Sequence, residues 1–103
     1  MGIGDQPDRD RVLSLLNALA PELARRFNVA HLALFGSVAR GVPTPASDVD
    51  LLVEFASRPT FDDFIGLKLE LEEALGRRVD LVTPDAMRPR MRKLIEQDLI
   101  RVA

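Results

Sequence analysis

The sequence has no cysteine, and that absence removes disulfides, thiolate zinc sites and cysteine nucleophiles together. It fits a reducing compartment, so the cytoplasm is the expected location. No apolar run approaches the roughly 18 residues that a membrane-spanning helix needs. The opening stretch from Met1 to Asp10 is polar and lacks the apolar centre of a signal peptide. Residues 1–7 are expected to form a flexible lead-in. A basic excess is missing as well: 14 lysines and arginines face 16 aspartates and glutamates, a net charge of −2. Direct nucleic-acid binding, which needs a basic surface, is disfavoured on that ground. Internal repeats, low-complexity tracts and interior linkers are also absent.

What remains is one small globular domain, expected over residues 8–103. At 103 residues, 47% of them apolar and 29% charged, the chain can bury about two-thirds of its unfolded surface around one modest core. From Asp8 to Phe27, the residues Val12, Leu15, Leu16, Leu19, Leu23 and Phe27 recur at helical spacing. Pro21 should kink that helix or begin a second turn. The apolar run from His31 to Phe35 ends at Gly36 and reads as a buried strand. A second strand is expected over Val49–Phe55, interrupted only by Asp50 and Glu54. The turn material between the two is Gly41 to Pro45.

Thr60 and Asp63 have the spacing of a capping box. They open a helix that carries Phe61, Phe64, Leu67, Leu71 and Leu75 on one face and stops at Gly76. Val79–Val82 is a third short strand, closed by Thr83 and Pro84. A last helix turns Met87, Met91, Leu94 and Ile95 inward, and Arg88, Arg90, Arg92 and Lys93 mostly outward. The order predicts a small sheet covered by helices.

Aspartates do not belong in strands that will be buried. Asp48 and Asp50 nevertheless flank Val49, and Asp80 sits inside the third strand. Side chains alternate along a strand, so Asp48 and Asp50 point the same way. If the third strand lies beside the second, Asp80 converges on them. At ~4 Å and an effective dielectric of ~20, each carboxylate pair would repel by about 4 kcal/mol. Such a cluster needs a cation or must protonate. Hard oxygen ligands without histidine or cysteine select magnesium or manganese over zinc. The plainer alternative is that Asp48 caps a strand end and Asp80 pairs with Arg77 or Arg78.

The segment from Phe35 to Gly41 follows a strand directly. Gly36 lets the backbone approach a ligand closely, and Ser37 stands where a short helix would begin, an arrangement suited to phosphate oxygens. Gly36 and Gly41 have the spacing of a Walker loop, but Val42 and Pro43 stand where lysine and a hydroxyl residue belong. A serine-hydrolase reading also fails. The single histidine, His31, precedes Ser37 on the strand and reads as structural. Arg40 is expected either to contact phosphate or to pair with an acidic neighbour.

Gly36-Ser37, then Val38 to Ser47, then Asp48-Val49-Asp50 resembles the minimal nucleotidyltransferases of the DNA polymerase beta superfamily. Their mark is Gly-Ser, ten residues, then Asp-x-Asp. Arg40 and Gly41 match the fuller motif, and Asp80 falls where a third carboxylate is expected. The resemblance spans about Asn28 to Pro84. It implies an α+β nucleotidyltransferase fold, a small mixed β-sheet flanked by helices in one domain. It further implies that Asp48 and Asp50 hold two magnesium ions, and that Asp80 holds the one nearest the attacking hydroxyl. Gly36 and Ser37, with Arg40, would bind the phosphates of ATP as substrate. About 23 residues follow Asp80, so acceptor selection is expected from a partner chain or a second copy. By the same resemblance the partner is a HEPN-type toxin, with this chain as its antitoxin and adenylyltransferase. Two alternatives stand beside this: a module that neutralises its partner by occlusion, and a small-molecule nucleotidyltransferase.

Overall fold

The computed structural model describes residues 8–41 and 48–102. Helix α1 (Asp8–Phe27) leads into strand β1 (Val29–Phe35), which is followed at once by a short helix α2 (Gly36–Arg40). Strand β2 (Val49–Phe55), helix α3 (Phe61–Leu75) and strand β3 (Val79–Val82) come next. A 3₁₀ turn over Pro84–Ala86, helix α4 (Pro89–Asp98) and strand β4 (Ile100–Arg101) complete the order. The expected residues 1–7 lead-in and most of the Gly41–Pro45 turn lie outside the described residues.

The four strands form one sheet in the order β3-β2-β1-β4. β1 is antiparallel to β2 and to β4, while β2 and β3 run parallel. The sheet is therefore mixed, and the fold is the α+β nucleotidyltransferase arrangement that the motif implies. One face of the sheet presents Leu32, Leu34, Val49, Leu51, Val53, Val79 and Leu81, all buried. These pack with Val12, Leu16 and Leu23 of α1 and Leu67, Leu71 and Leu75 of α3 into a single core. The opposite side chains along β2 are Asp50, Leu52 and Glu54, none of them fully buried. Along β2 that face thus stays partly open.

The helix ends follow their local sequence. Thr60 accepts the Asp63 N–H at 3.0 Å, and the Thr60 N–H donates back to Asp63 at 3.3 Å, completing the capping box. Gly76, with φ +66°, ends α3 by donating its N–H to the Glu72 carbonyl. Helix α1 stays continuous past Pro21, which is exposed and begins no second helix.

Three apolar side chains depart from expectation. Phe61 is 78% exposed, because it is the first residue of α3 and lies before the helix reaches the sheet. Met91 and Leu94 are 49% and 65% exposed. Among the described residues helix α4 packs mainly on α2 and β1, so one residue, Ile95, is buried instead of a stripe. Arg88, Arg90, Arg92 and Lys93 do face outward. Strand β4 was not foreseen, since two residues carry no readable periodicity.

Candidate active site

The strand register brings two of the aspartates together. Parallel β2 and β3 pair Val49 with Val79 and Asp50 with Asp80. The Val49 N–H donates to the Arg78 carbonyl at 2.9 Å, which fixes the entry of β3 beside β2. Glu72 of α3 accepts the Val79 N–H at 3.0 Å from the other side. Asp48 precedes β2 and is exposed, as is Asp80, whereas Asp50 is half-buried.

Asp50 is also pressed against the turn after β1. Phe35 is its register partner across the sheet, and Gly36 follows with φ +78°. A Cβ on Gly36 would lie 2.1 Å from Asp50 Oδ2. Glycine is therefore needed here on two counts, a left-handed backbone and a carboxylate seated on its α-carbon. The close approach foreseen for a ligand is made first by the protein's own Asp50. Ser37 is the second residue of α2 and half-buried.

The electrostatics follow from this crowding. Burial pushes the Asp50 carboxyl above its usual range, and the charges of Asp80 and then Asp48 push it further in the same direction. Arg40 acts against them. No lysine or arginine among the described residues forms an ion pair with any of the three aspartates. Arg77, one candidate partner for Asp80, reaches Asp8 of α1.

Among the described residues no three His, Cys, Asp or Glu side chains make a ready metal cage. The donor set still suits a hard divalent cation: it is all carboxylate oxygen and deficient in positive charge. Magnesium is usually held by one or two carboxylates plus substrate phosphates, and that requirement is weaker than a closed cage.

Arg40 pairs with Asp98 of α4 at 2.9 Å. Of its two expected roles the structure thus displays the acidic neighbour, while its field still reaches Asp50. Asp98 escaped the sequence reading because it lies 58 residues away from Arg40 and belongs to no local motif. The pair lines a cleft of about 400 Å³ together with Phe35, Gly36, Leu94, Ile95 and Gln97, and none of the three aspartates is in its wall. A larger cavity of about 520 Å³ lies at the far end of β2, between Val53–Pro59 and Thr83–Asp85, and includes none of the three aspartates. His31 is exposed, with its Nδ1 3.2 Å from Arg101 Nη2.

Known proteins share this fold. The Nucleotidyltransferase domain family matches residues 16–102. The protein adenylyltransferase MntA of Thermococcus cleftensis is 38% identical over 93 residues, covering 90% of this chain and 94% of its own length. A candidate protein adenylyltransferase of Methanocaldococcus jannaschii, MJ1379, is 43% identical over 83 residues, 78% of this chain and 83% of that protein. A solved structure described as a candidate minimal nucleotidyltransferase superposes with a TM-score of 0.77 at 37% identity, covering 94% of this chain and 98% of that one. A toxin–antitoxin crystal structure with AMP-PNP shares the fold, with a TM-score of 0.69 at 22% identity over 84% of this chain and 72% of that one.

Proposed function

This chain belongs to the nucleotidyltransferase domain family, as a minimal nucleotidyltransferase of the DNA polymerase beta-like superfamily, and from that membership we propose that it transfers AMP from ATP to a hydroxyl of a partner protein. The observation that carries the reading is the seating of Asp50 on Gly36, 2.1 Å from where a Cβ would stand. That contact ties the phosphate-binding turn to the carboxylate cluster, so nucleotide and acid groups meet at one point.

Asp48 and Asp50 would hold the magnesium ions that the family motif implies, and Asp80 would join them on the side of the attacking hydroxyl. When bound, such ions neutralise phosphate charge and stabilise the entering and leaving oxygens of an in-line displacement. Gly36 and Ser37 grip the β- and γ-phosphates, and Arg40 adds positive charge from the end of α2. The acceptor oxygen attacks the α-phosphorus. A new oxygen–phosphorus bond forms as the bond to the bridging oxygen breaks, and pyrophosphate departs with that electron pair. The hydroxyl proton passes to the Asp80 carboxylate, which is exposed on β3 and open to an arriving acceptor. A HEPN-type toxin is the partner, with this chain as its cytoplasmic antitoxin. The relative at 38% identity, named a protein adenylyltransferase, supports AMP as the transferred group and protein as the acceptor.

The test is transfer of label. Incubation with magnesium, α-labelled ATP and a HEPN-type partner protein should label that protein through a bond that survives denaturation. Asp48→Asn and Asp50→Asn should each abolish labelling. Ser37→Ala should weaken it less, having lost one hydrogen bond to a charged acceptor, about 1.5–3 kcal/mol. A partner that is held tightly yet never labelled would favour neutralisation by occlusion. Label that persists in the double aspartate variant would sink the mechanism.

A further inference from the structure

Arg40 ends the short helix that begins at Gly36, and its Nη1 lies 2.9 Å from Asp98 Oδ2. The pair is unusual in its placement. Asp98 is the last residue of α4, where the helix dipole disfavours a carboxylate. An ion pair open to solvent adds little to stability, and the Arg40 side chain is 51% exposed, although that of Asp98 is 23% exposed. Local helix preference does not account for this aspartate. Its location does suggest a use, because the bonded pair lines the cleft of about 400 Å³ that runs to Gly36.

Asp98 is itself held firmly. The next residues enter β4, where Ile100 pairs with Leu34 of β1, and the Val102 N–H donates to the Leu32 carbonyl at 2.8 Å. β1 is the strand that delivers Gly36, so the anchor and the phosphate turn rest on one rigid strand. A guanidinium has five N–H donors in a planar fork. The bond to Asp98 uses one edge and leaves the others for a second anion. The field of Arg40 already reaches Asp50, where it opposes the upward push of Asp80 and Asp48.

We propose that Asp98 is a positioning residue, one that holds the Arg40 guanidinium at the mouth of the cleft beside Gly36, ready for the triphosphate of the nucleotide. The inference rests on the nucleotidyl-transfer reading. Asp98 touches no substrate atom. It shortens the search of a long, flexible side chain, and nucleotide affinity gains from that pre-ordering.

Calorimetric titration of the full chain with ATP and magnesium tests this without needing an acceptor. Asp98→Asn should weaken ATP binding by about three- to ten-fold, the lower part of the range for coupled neighbours, while its melting temperature stays near that of the unchanged chain. Asp98→Glu should retain most of the affinity. Arg40→Ala should bind more weakly than either, and adding Asp98→Asn to it should cost nothing further. The exchange variant, Arg40→Asp with Asp98→Arg, restores an ion pair but moves the cation, so affinity should stay low. The proposal is overturned if Asp98→Asn binds ATP as well as the unchanged chain or better, if the two losses add, or if the exchange restores binding. Absence of ATP binding by the unchanged chain would remove the nucleotidyl-transfer reading and this inference with it.

Discussion

At the scale of single residues, the site is a conflict held in place. Gly36 must be glycine because Asp50 occupies the space of its missing side chain. A left-handed backbone costs a non-glycine residue roughly 1–2 kcal/mol before any collision is added. Gly36→Ala should therefore lower the melting temperature by several degrees, since about 1 kcal/mol moves a domain of this size by roughly 4–8 °C. A melting curve identical to the unchanged chain would mean that Asp50 can move aside freely. Asp50 itself should behave in the opposite sense. Its carboxyl is raised above the ordinary range by burial, then by Asp80 and Asp48, so the folded chain holds this proton more tightly than the unfolded chain. Folding then takes up a proton between the ordinary carboxylate pKa and the raised one, and stability falls as pH rises through that window. Asp50→Asn, free of metal, should melt at or above the unchanged chain at neutral pH, and the difference should vanish as pH drops into the ordinary carboxylate range. A clear loss at neutral pH would assign Asp50 a structural hydrogen-bonding role instead.

At the scale of elements, legibility tracked how local each cause was. The α3 start and stop were readable because Thr60, Asp63 and Gly76 act within a turn of their own positions. Strands β2 and β3 begin and end where their apolar runs do, because burial on one face imposes a short unbroken pattern. Asp50 and Asp80 could be suspected from sequence as misfits in those runs, but their pairing needed the parallel register of β2 and β3, which no local signal encodes. The same limit explains α4. Helical spacing put Met91 and Leu94 inward, yet only Ile95 is buried, because how much of a helix is covered depends on its neighbours and not on its own period. Asp98 was invisible for the same reason, since its partner Arg40 lies on a different helix. The glycine–serine turn was legible by spacing. Its physical tie to Asp50 was not.

At the scale of the molecule, an acidic protein sets Asp50 beside Asp80 on the less covered face of its sheet, with Asp48 just before β2, and leaves all three without an ion-pair partner among the described residues. Two ways of relieving that charge are available to a folded chain, protonation or a cation. The arrangement also limits how well the cation can be held. With no ready three-ligand cage among the described residues, the protein by itself offers too few donors to compete strongly with the water shell of magnesium. ATP changes the balance, because its phosphates supply the missing oxygens and bring negative charge of their own. Magnesium or manganese should therefore bind the free chain weakly and bind markedly more tightly once ATP is present, with Arg40 and the turn at Gly36 serving the phosphate end. Calorimetry with each component alone and together measures the coupling directly. Asp50→Asn should remove most of it, since Asp50 is the carboxylate that stands between the turn and Asp80. Equal metal affinity with and without ATP, or an unchanged response in Asp50→Asn, would show that the carboxylates and the phosphate turn do not act as one site.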